Sequence, residues 1–222
     1  MSLSEINVHI SRTHFPITTL GPGQRIGIWF QGCSIRCRGC VSADTWGTER
    51  GLTTVSELLD FIAPWSSKAD GFTISGGEPF DQATALLELL RSLRRHDHQD
   101  VLIYSGHPIE RIAETVRAAD GLIDALVTDP YDQTVPQTLA LRGSDNQRLH
   151  LLSELGQTRY ARYQKKVADT ERALDLMFDE DGTVWIAGIP RPRDMLRLRA
   201  ILASKGHSAL TTDSMRFQPE YR

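Results

Sequence analysis

The sequence predicts an α/β fold in which parallel strands alternate with helices, and three observations lead to this prediction. Short runs rich in β-branched and aromatic residues recur along the chain, as in strands that are buried on both faces. Segments with apolar residues at helical spacing separate these runs. Glycine, proline and capping residues mark most of the boundaries. Strands that alternate with helices form βα units on a parallel sheet.

The predicted strands and helices run from residue 25 to residue 204. Residues 25–31, RIGIWFQ, read as a buried strand between Gly-Pro-Gly and Gly32. Thr54 or Ser56 can cap a helix over 56–64. The remaining elements follow as strand 71–75, helix 81–95, strand 101–105, a helix from Pro108 to about 118, strand 124–129, a polar loop over 130–150, a short helix within 153–166, strand 183–190 and helix 191–204.

Length and composition set limits on the function. The 222 residues suit a single domain over 1–222, with a core of about 15–205. The formal net charge of −3 gives no sign of a nucleic-acid partner. No apolar run approaches the roughly 20 residues that cross a bilayer, and the first residues do not resemble a signal peptide. We therefore expect no membrane association and a cytoplasmic protein.

The three cysteines are the most informative residues. Cys33, Cys37 and Cys40 all lie in one loop, 33–40, directly after the first predicted strand. A secreted disulfide framework would use an even number of cysteines spread along the chain. Three thiolates can instead hold three corners of a 4Fe–4S cluster and leave one iron open. A structural zinc site needs four protein ligands, so zinc would require His107 or His150 as well.

The cysteine spacing also carries a family resemblance. The segment Cys33-Ser-Ile-Arg-Cys37-Arg-Gly-Cys40 resembles the three-cysteine signature of the radical S-adenosylmethionine (SAM) superfamily. Together with GPGQRIGIWFQGC and LRGSDNQR, it resembles the activating enzyme of anaerobic ribonucleotide reductase and other glycyl-radical activases, over roughly residues 15–190. The resemblance implies an incomplete (β/α)6-type partial TIM barrel, with the cluster and SAM at its mouth. Many superfamily members carry an aromatic residue where this chain has Gly39, so adenine contact there must come from the backbone.

Further candidate SAM-binding residues lie at the predicted strand ends. Gly76, Gly77, Glu78 and Pro79 follow the second strand, and the resemblance implies that this motif receives the methionine amino group. Ser105 and Asp129 end the third and fourth strands and are candidates for the SAM carboxylate or ribose, although both residue types also cap turns. In the polar run 142–148, Arg142 or Arg148 could bind an anionic group. No catalytic side chain beyond the cluster is assigned.

The resemblance implies reductive cleavage of SAM, with an electron donor such as flavodoxin and a glycyl-radical enzyme as the protein substrate. Two alternatives stay open on sequence alone. One is a radical SAM enzyme acting on a small molecule or a peptide. The other is a non-catalytic iron–sulfur or zinc module, which would have no use for the Gly-Gly-Glu-Pro loop.

Overall fold

The chain folds around one large mixed sheet. A computed structural model describes residues 5–93, 99–168, 171–178, 183–191 and 193–208. Its strands are β1 (Asn7–Ile17), β2 (Arg25–Phe30), β3 (Leu52–Thr54), β4 (Gly71–Gly76), β5 (Asp100–Tyr104), β6 (Ala125–Thr128), β7 (Arg148–Leu151), β8 (Leu174–Phe178) and β9 (Val184–Gly188). Its helices are α1 (Val55–Ser66), α2 (Ala83–Leu93), α3 (Ile109–Ala118), α4 (Glu154–Tyr160) and α5 (Asp194–Ser204).

The large sheet has a parallel centre and antiparallel edges. Its seven strands lie in the order β3-β1-β2-β4-β5-β6-β7. Strands β2, β4, β5 and β6 are parallel neighbours, as the alternation of strands and helices predicted. Strand β1 pairs antiparallel with β2, and β7 pairs antiparallel with β6. The fold is therefore a mixed α/β fold with a large, parallel-rich sheet.

The central strands form where the sequence is most apolar. All six residues of β2 are buried, as are all four of β6. Leucines of α2 and apolar residues of α1 and α3 cover one face of these strands. Helix α1 begins at the predicted cap: Thr54 accepts a hydrogen bond from the Glu57 amide, and Glu57 accepts one from the Thr54 amide.

Three predictions about the elements need correction. Residues 186–190, which the resemblance would make the last strand of the barrel, are not part of the main sheet, because β9 pairs antiparallel with β8 in a separate two-stranded sheet. The loop 130–150 ends in β7, and β1 was not predicted at all. Helix 81–95 begins as a 3-10 turn at Pro79–Gln82 before α2, and its predicted last residues, 94 and 95, lie outside the described ranges.

Two further sequence predictions concern the whole chain. The single domain over 1–222 stays a prediction. Within the described residues, no helix is both long enough and apolar enough to cross a membrane.

Candidate functional site

The carboxyl ends of β2, β4 and β5 open onto one large cavity. Its volume is about 1070 Å³. Parallel strands place their carboxyl ends along the same edge, where loops can differ without disturbing the sheet. The cavity is lined by the cysteines Cys33, Cys37 and Cys40, by the glycine motif Gly76, Gly77 and Glu78, by the aromatic residues Trp29, Trp46, Tyr104 and Tyr131, and by Ile186–Pro190 from β9 and the loop after it.

The cysteine loop and the glycine motif touch through their backbones. The Gly77 amide donates to the Phe30 carbonyl at 2.8 Å, and the Glu78 amide donates to the Gly32 carbonyl at 2.8 Å. A Cβ added to Gly77 would lie 2.0 Å from the Gly32 carbonyl oxygen. Only glycine permits this approach, so Gly77 is required to bring the two loops together.

Glu78 ties the ends of β4 and β5 together. Its side chain is fully buried. It accepts hydrogen bonds from the Phe80 amide at 3.0 Å, the Ser105 hydroxyl at 2.9 Å and the Gly106 amide at 2.8 Å. Burial raises the pKa of the Glu78 carboxyl, while these three donors and the nearby His107 oppose the rise. Glu78 therefore fixes the loop through backbone and hydroxyl donors.

Asp81 holds the cysteine loop from its outer side. Its carboxylate accepts from the Ser34 amide at 2.8 Å and the Ser34 hydroxyl at 3.0 Å, one residue after Cys33. The same carboxylate lies 3.1 Å from Nε2 of the buried His107. Sequence reasoning missed this link between the cysteine loop and the β5 end, although Asp81 lies only three residues after Glu78.

The three thiols fit a cluster by their chemistry. Cys33, Cys37 and Cys40 form no disulfide and are all partly exposed to the same cavity. Burial raises the pKa of the Cys33 thiol, a cost that bonding to a metal would offset because metals bind the thiolate. Among the residues described, no three His, Cys, Asp or Glu side chains already converge in a metal-binding arrangement. The assignment therefore depends on the thiol donor set and on the family.

The zinc alternative finds no support in this geometry. The two histidines that could supply its fourth ligand have other partners. His107 Nε2 faces Asp81, and His150 Nε2 lies 3.0 Å from the Thr128 hydroxyl.

An aromatic ring from another loop faces Gly39. A Cβ built at Gly39 would lie 2.5 Å from Gln133 Oε1 and 3.2 Å from Tyr131 Cε1. Gly39 also has a φ of +85°, which favours glycine. The loop 130–147 therefore packs directly on the cysteine loop and brings Tyr131 to the cavity. No sequence pattern predicts this contact, because Gly39 and Tyr131 are more than 90 positions apart.

Four predicted SAM-binding residues do not line the cavity. Pro79 is buried at the start of a 3-10 turn, and Ser105 is buried and donates to Glu78. Asp129 accepts two hydrogen bonds from Arg148, at 2.7 and 3.0 Å. Arg142 donates to the carbonyls of Ala140 and Tyr163. Contact of these four residues with SAM is not supported by this geometry, and their roles stay predictions.

Arg148 belongs to a surface ion network rather than to the cavity lining. Besides Asp129, it donates two hydrogen bonds to Glu110, each at 2.9 Å. These hydrogen bonds lower the pKa of Glu110 to about 2. The network joins β7 to the start of α3, so its evident effect is to fix the loop that precedes β7.

Comparisons with known proteins agree with this site. The family model of the 4Fe-4S single cluster domain matches residues 19–150, more than half of the chain. The chain is 30% identical over 146 residues to the anaerobic ribonucleoside-triphosphate reductase-activating protein of Vibrio cholerae serotype O1, covering 62% of this chain and 94% of that protein. It is 28% identical over 138 residues to the protein of the same name from Enterobacteria phage T4, covering 58% and 85%.

Two other proteins are less fully covered. The pyruvate formate-lyase-activating enzyme of Listeria monocytogenes is 33% identical over 117 residues, which is 50% of this chain and 46% of that enzyme. Among solved structures, the crystal structure of QueE from Escherichia coli aligns with a TM-score of 0.39 and 22% identity, over 45% of this chain and 52% of that one.

The matched family and the three cysteines at one cavity confirm the prediction of a 4Fe–4S cluster. The relatives confirm the resemblance to activating enzymes. The chain belongs to the 4Fe-4S single cluster domain family and, with the activating proteins that it resembles, to the radical SAM enzymes.

Proposed function

We propose that this protein is a glycyl-radical-activating enzyme that works on a partner protein at the cavity. One observation carries the proposal. The three cysteines and the Gly76-Gly77-Glu78 motif, 36 or more positions apart, line the same cavity at the carboxyl ends of β2 and β4. A cluster bound there and reduced would supply the one electron that cleaves SAM to methionine and a 5′-deoxyadenosyl radical, and that radical would take a hydrogen atom from a glycine Cα of the partner.

The residues of this chain bind and orient the reactants. Cys33, Cys37 and Cys40 would hold three irons and leave the fourth for the amino and carboxylate groups of SAM. Gly76 and Gly77 expose backbone atoms to the cavity, and Glu78 keeps that backbone in place through its three hydrogen bonds. Trp29, Tyr104 and Tyr131 supply apolar surface that excludes water from the reacting groups.

The lining of the cavity supports a polypeptide substrate. Its volume, about 1070 Å³, is at the upper end of the roughly 300–1000 Å³ of common ligand pockets. The loop 130–147 contributes Gln133, Thr134, Gln137 and Gln147, whose amide and hydroxyl groups suit hydrogen bonds to a peptide backbone. The relatives are named as activating proteins for a reductase and for a lyase, and these names also favour a protein substrate.

Three finer parts of the account belong to the same proposal. The main sheet is the wall of an incomplete (β/α)6-type barrel. The electron comes from a small redox protein such as flavodoxin. The protein works in the cytoplasm.

The proposal is tested by electron paramagnetic resonance. Protein reconstituted with iron and sulfide without oxygen is mixed with SAM, dithionite and an anaerobic ribonucleoside-triphosphate reductase. We expect a glycine-centred doublet on the reductase. Transfer of deuterium from a small metabolite into 5′-deoxyadenosine, without any protein partner, would instead identify a small-molecule enzyme.

A further inference from the structure

One wall of the cavity is formed by residues that follow the matched family region. The family model ends at residue 150. Strands β8 and β9 and helix α5 all follow that point, and Ile186–Pro190, Met195 and Leu196 line the cavity. The wall is therefore an addition to the part of the chain that carries the cluster and the glycine motif.

This wall is firmly attached to the rest of the protein. The Asp175 carboxylate accepts four hydrogen bonds, from the amides and hydroxyls of Thr18 and Thr19, at 2.8 to 3.1 Å. The Arg12 guanidinium lies 4.2 Å from the centre of the Trp185 ring, and Ala187 is buried in the cluster around Trp29. Strands β8 and β9 thus have a fixed position beside the cavity.

One face of the two-stranded sheet formed by β8 and β9 is apolar and exposed. Leu176, Phe178 and Val184 are 55%, 74% and 47% exposed. The register pairs Phe178 with Val184 and Leu176 with Ile186, so these residues share one face of the two-stranded sheet. Leu196 on α5 is 53% exposed and also lines the cavity. We name Leu176, Phe178, Val184 and Leu196 the C-terminal apolar face.

The concentration of apolar surface here is unusual for this chain. Of the nine large hydrophobic side chains that are exposed within the described ranges, five lie between residues 174 and 204. Exposed apolar patches of this kind mark sites where another molecule binds. The C-terminal apolar face continues into the cavity through Leu196 and through Ile186. A molecule bound to this face would therefore reach the cavity mouth.

The charge of the same region indicates what kind of molecule binds. Between residues 190 and 205 the sequence holds five basic residues and one acidic residue, although the whole chain has a net charge of −3. Arg193 is exposed and lines the cavity, and Arg197 is exposed on α5. Arginine and large apolar side chains are both enriched at protein–protein interfaces.

We propose that the C-terminal apolar face is the docking surface for the protein substrate, whose complementary patch is apolar and ringed by carboxylates. Docking there would direct a glycine-bearing segment of the substrate past Ile186 into the cavity. The inference depends on the proposed function, because it assigns a binding surface to the partner protein which that function requires.

The test uses the double variant Leu176→Ser/Phe178→Ser, because both side chains are exposed and neither lines the cavity. The probe is an anaerobic ribonucleoside-triphosphate reductase, and the glycine radical is measured against reductase concentration. We expect the apparent KM for the reductase to rise at least tenfold, while partner-free release of 5′-deoxyadenosine stays unchanged. Phe61→Ser, which removes a 63% exposed ring from α1, is the matched control and should leave the KM unchanged.

The outcomes separate the inference from the proposed function. A wild-type protein that cleaves SAM but forms no radical on the reductase would contradict the proposed function. An unchanged KM in the double variant, with a working wild type, would overturn the inference alone. Two further results would also overturn it: a wild-type dimer that the double variant makes monomeric in sedimentation, or wild-type binding to phosphatidylglycerol vesicles that the variant loses.

Discussion

The two ends of the central strands β2, β4 and β5 have opposite designs. At the amino-terminal end, Arg25 is fully buried and donates to the Asp100 carboxylate at 2.7 and 3.2 Å, to Thr73 and to the carbonyls of Phe72 and Pro22. The Tyr160 hydroxyl also donates to Asp100. At the carboxyl-terminal end, glycines replace side chains and a cavity opens beside the three cysteines.

The difference shows how one sheet separates stability from chemistry. We call the amino-terminal end of these strands the closed end and the carboxyl-terminal end the open end. Charges at the closed end neutralise each other inside the protein, where an unpaired charge would be costly. Glu78, a carboxylate buried at the open end, is held by three donors and borders the space for a cofactor. Substitutions at the closed end should therefore change the free energy of unfolding, and substitutions at the open end should change cofactor binding as well.

Arg25→Met should give the largest loss of stability. The change leaves Asp100 buried without its main cation, although Arg159 still contacts it at 2.8 Å. We expect the free energy of unfolding to fall by about 3–5 kcal/mol in urea titrations. Iron uptake measured at low temperature should stay near the wild-type level, because the cysteines lie at the other end of the sheet. A loss below about 1 kcal/mol, equal to that of the exposed control Arg91→Met, would contradict a structural role for the closed end.

Glu78→Ala should affect both stability and SAM. Three donors, the Phe80 amide, the Ser105 hydroxyl and the Gly106 amide, would lose their acceptor. An unsatisfied buried donor costs about 1–3 kcal/mol, so we expect a total loss of about 3 kcal/mol and weaker SAM binding by equilibrium dialysis. Glu78→Gln keeps an acceptor and should lose less of both. If the alanine variant binds SAM as the wild type does, Glu78 does not position the motif.

Asp81→Ala should loosen the cysteine loop without removing a ligand. Losing the hydrogen bonds to Ser34 at about 1 kcal/mol each should speed iron release to a chelator roughly fivefold or more. Asp81→Asn keeps an acceptor oxygen and should have a smaller effect. Asp120→Ala, at an exposed aspartate beyond α3, is the control. Equal release rates in all four proteins would show that this contact does not hold the loop.

Glu110→Gln should have the smallest effect, and that effect should depend on pH. Hydrogen bonds from Arg148 lower the pKa of Glu110 to about 2, below its usual value near 4.3. Because this pKa is lower in the folded state than in the unfolded state, the ion pair stabilises the fold at pH values above the unfolded-state pKa. That stabilisation is lost as the pH falls toward 2. The urea midpoints of wild type and variant should therefore differ most above pH 5 and converge on acidification. Glu114→Gln, on the same helix, should show no such convergence; a constant difference for Glu110→Gln would contradict the ion pair.

The comparison between the two ends also explains what the sequence could predict. Strands 25–31, 71–75, 101–105 and 124–129 were found within about one residue of β2, β4, β5 and β6, because fully buried strands are apolar throughout. Strand β1, NVHISRTHFPI, has four consecutive polar residues at 11–14 and is mostly half-buried, so it lacked that signal. Strand β7, RLHL, follows a polar loop and is only four residues long.

The site divides in the same way. The cysteines and the Gly-Gly-Glu-Pro segment are contiguous motifs, and the structure places Cys33, Cys37, Cys40, Gly76, Gly77 and Glu78 at one cavity. The Asp129–Arg148–Glu110 network could not be predicted, because its partners come from three different elements. The wall formed by β9 and α5 could not be predicted as part of the cavity either, since it follows the motifs by more than 100 residues.

The central claim is that the open end of the sheet holds a cluster that cleaves SAM. The direct measurement is 5′-deoxyadenosine release by anaerobically reconstituted protein with dithionite, beside iron content. We predict about four irons per chain and product above a no-protein control, with both lost in Cys33→Ala, Cys37→Ala and Cys40→Ala. A protein that binds stoichiometric zinc and takes up no iron, or a loaded cluster that releases no 5′-deoxyadenosine, would contradict the account.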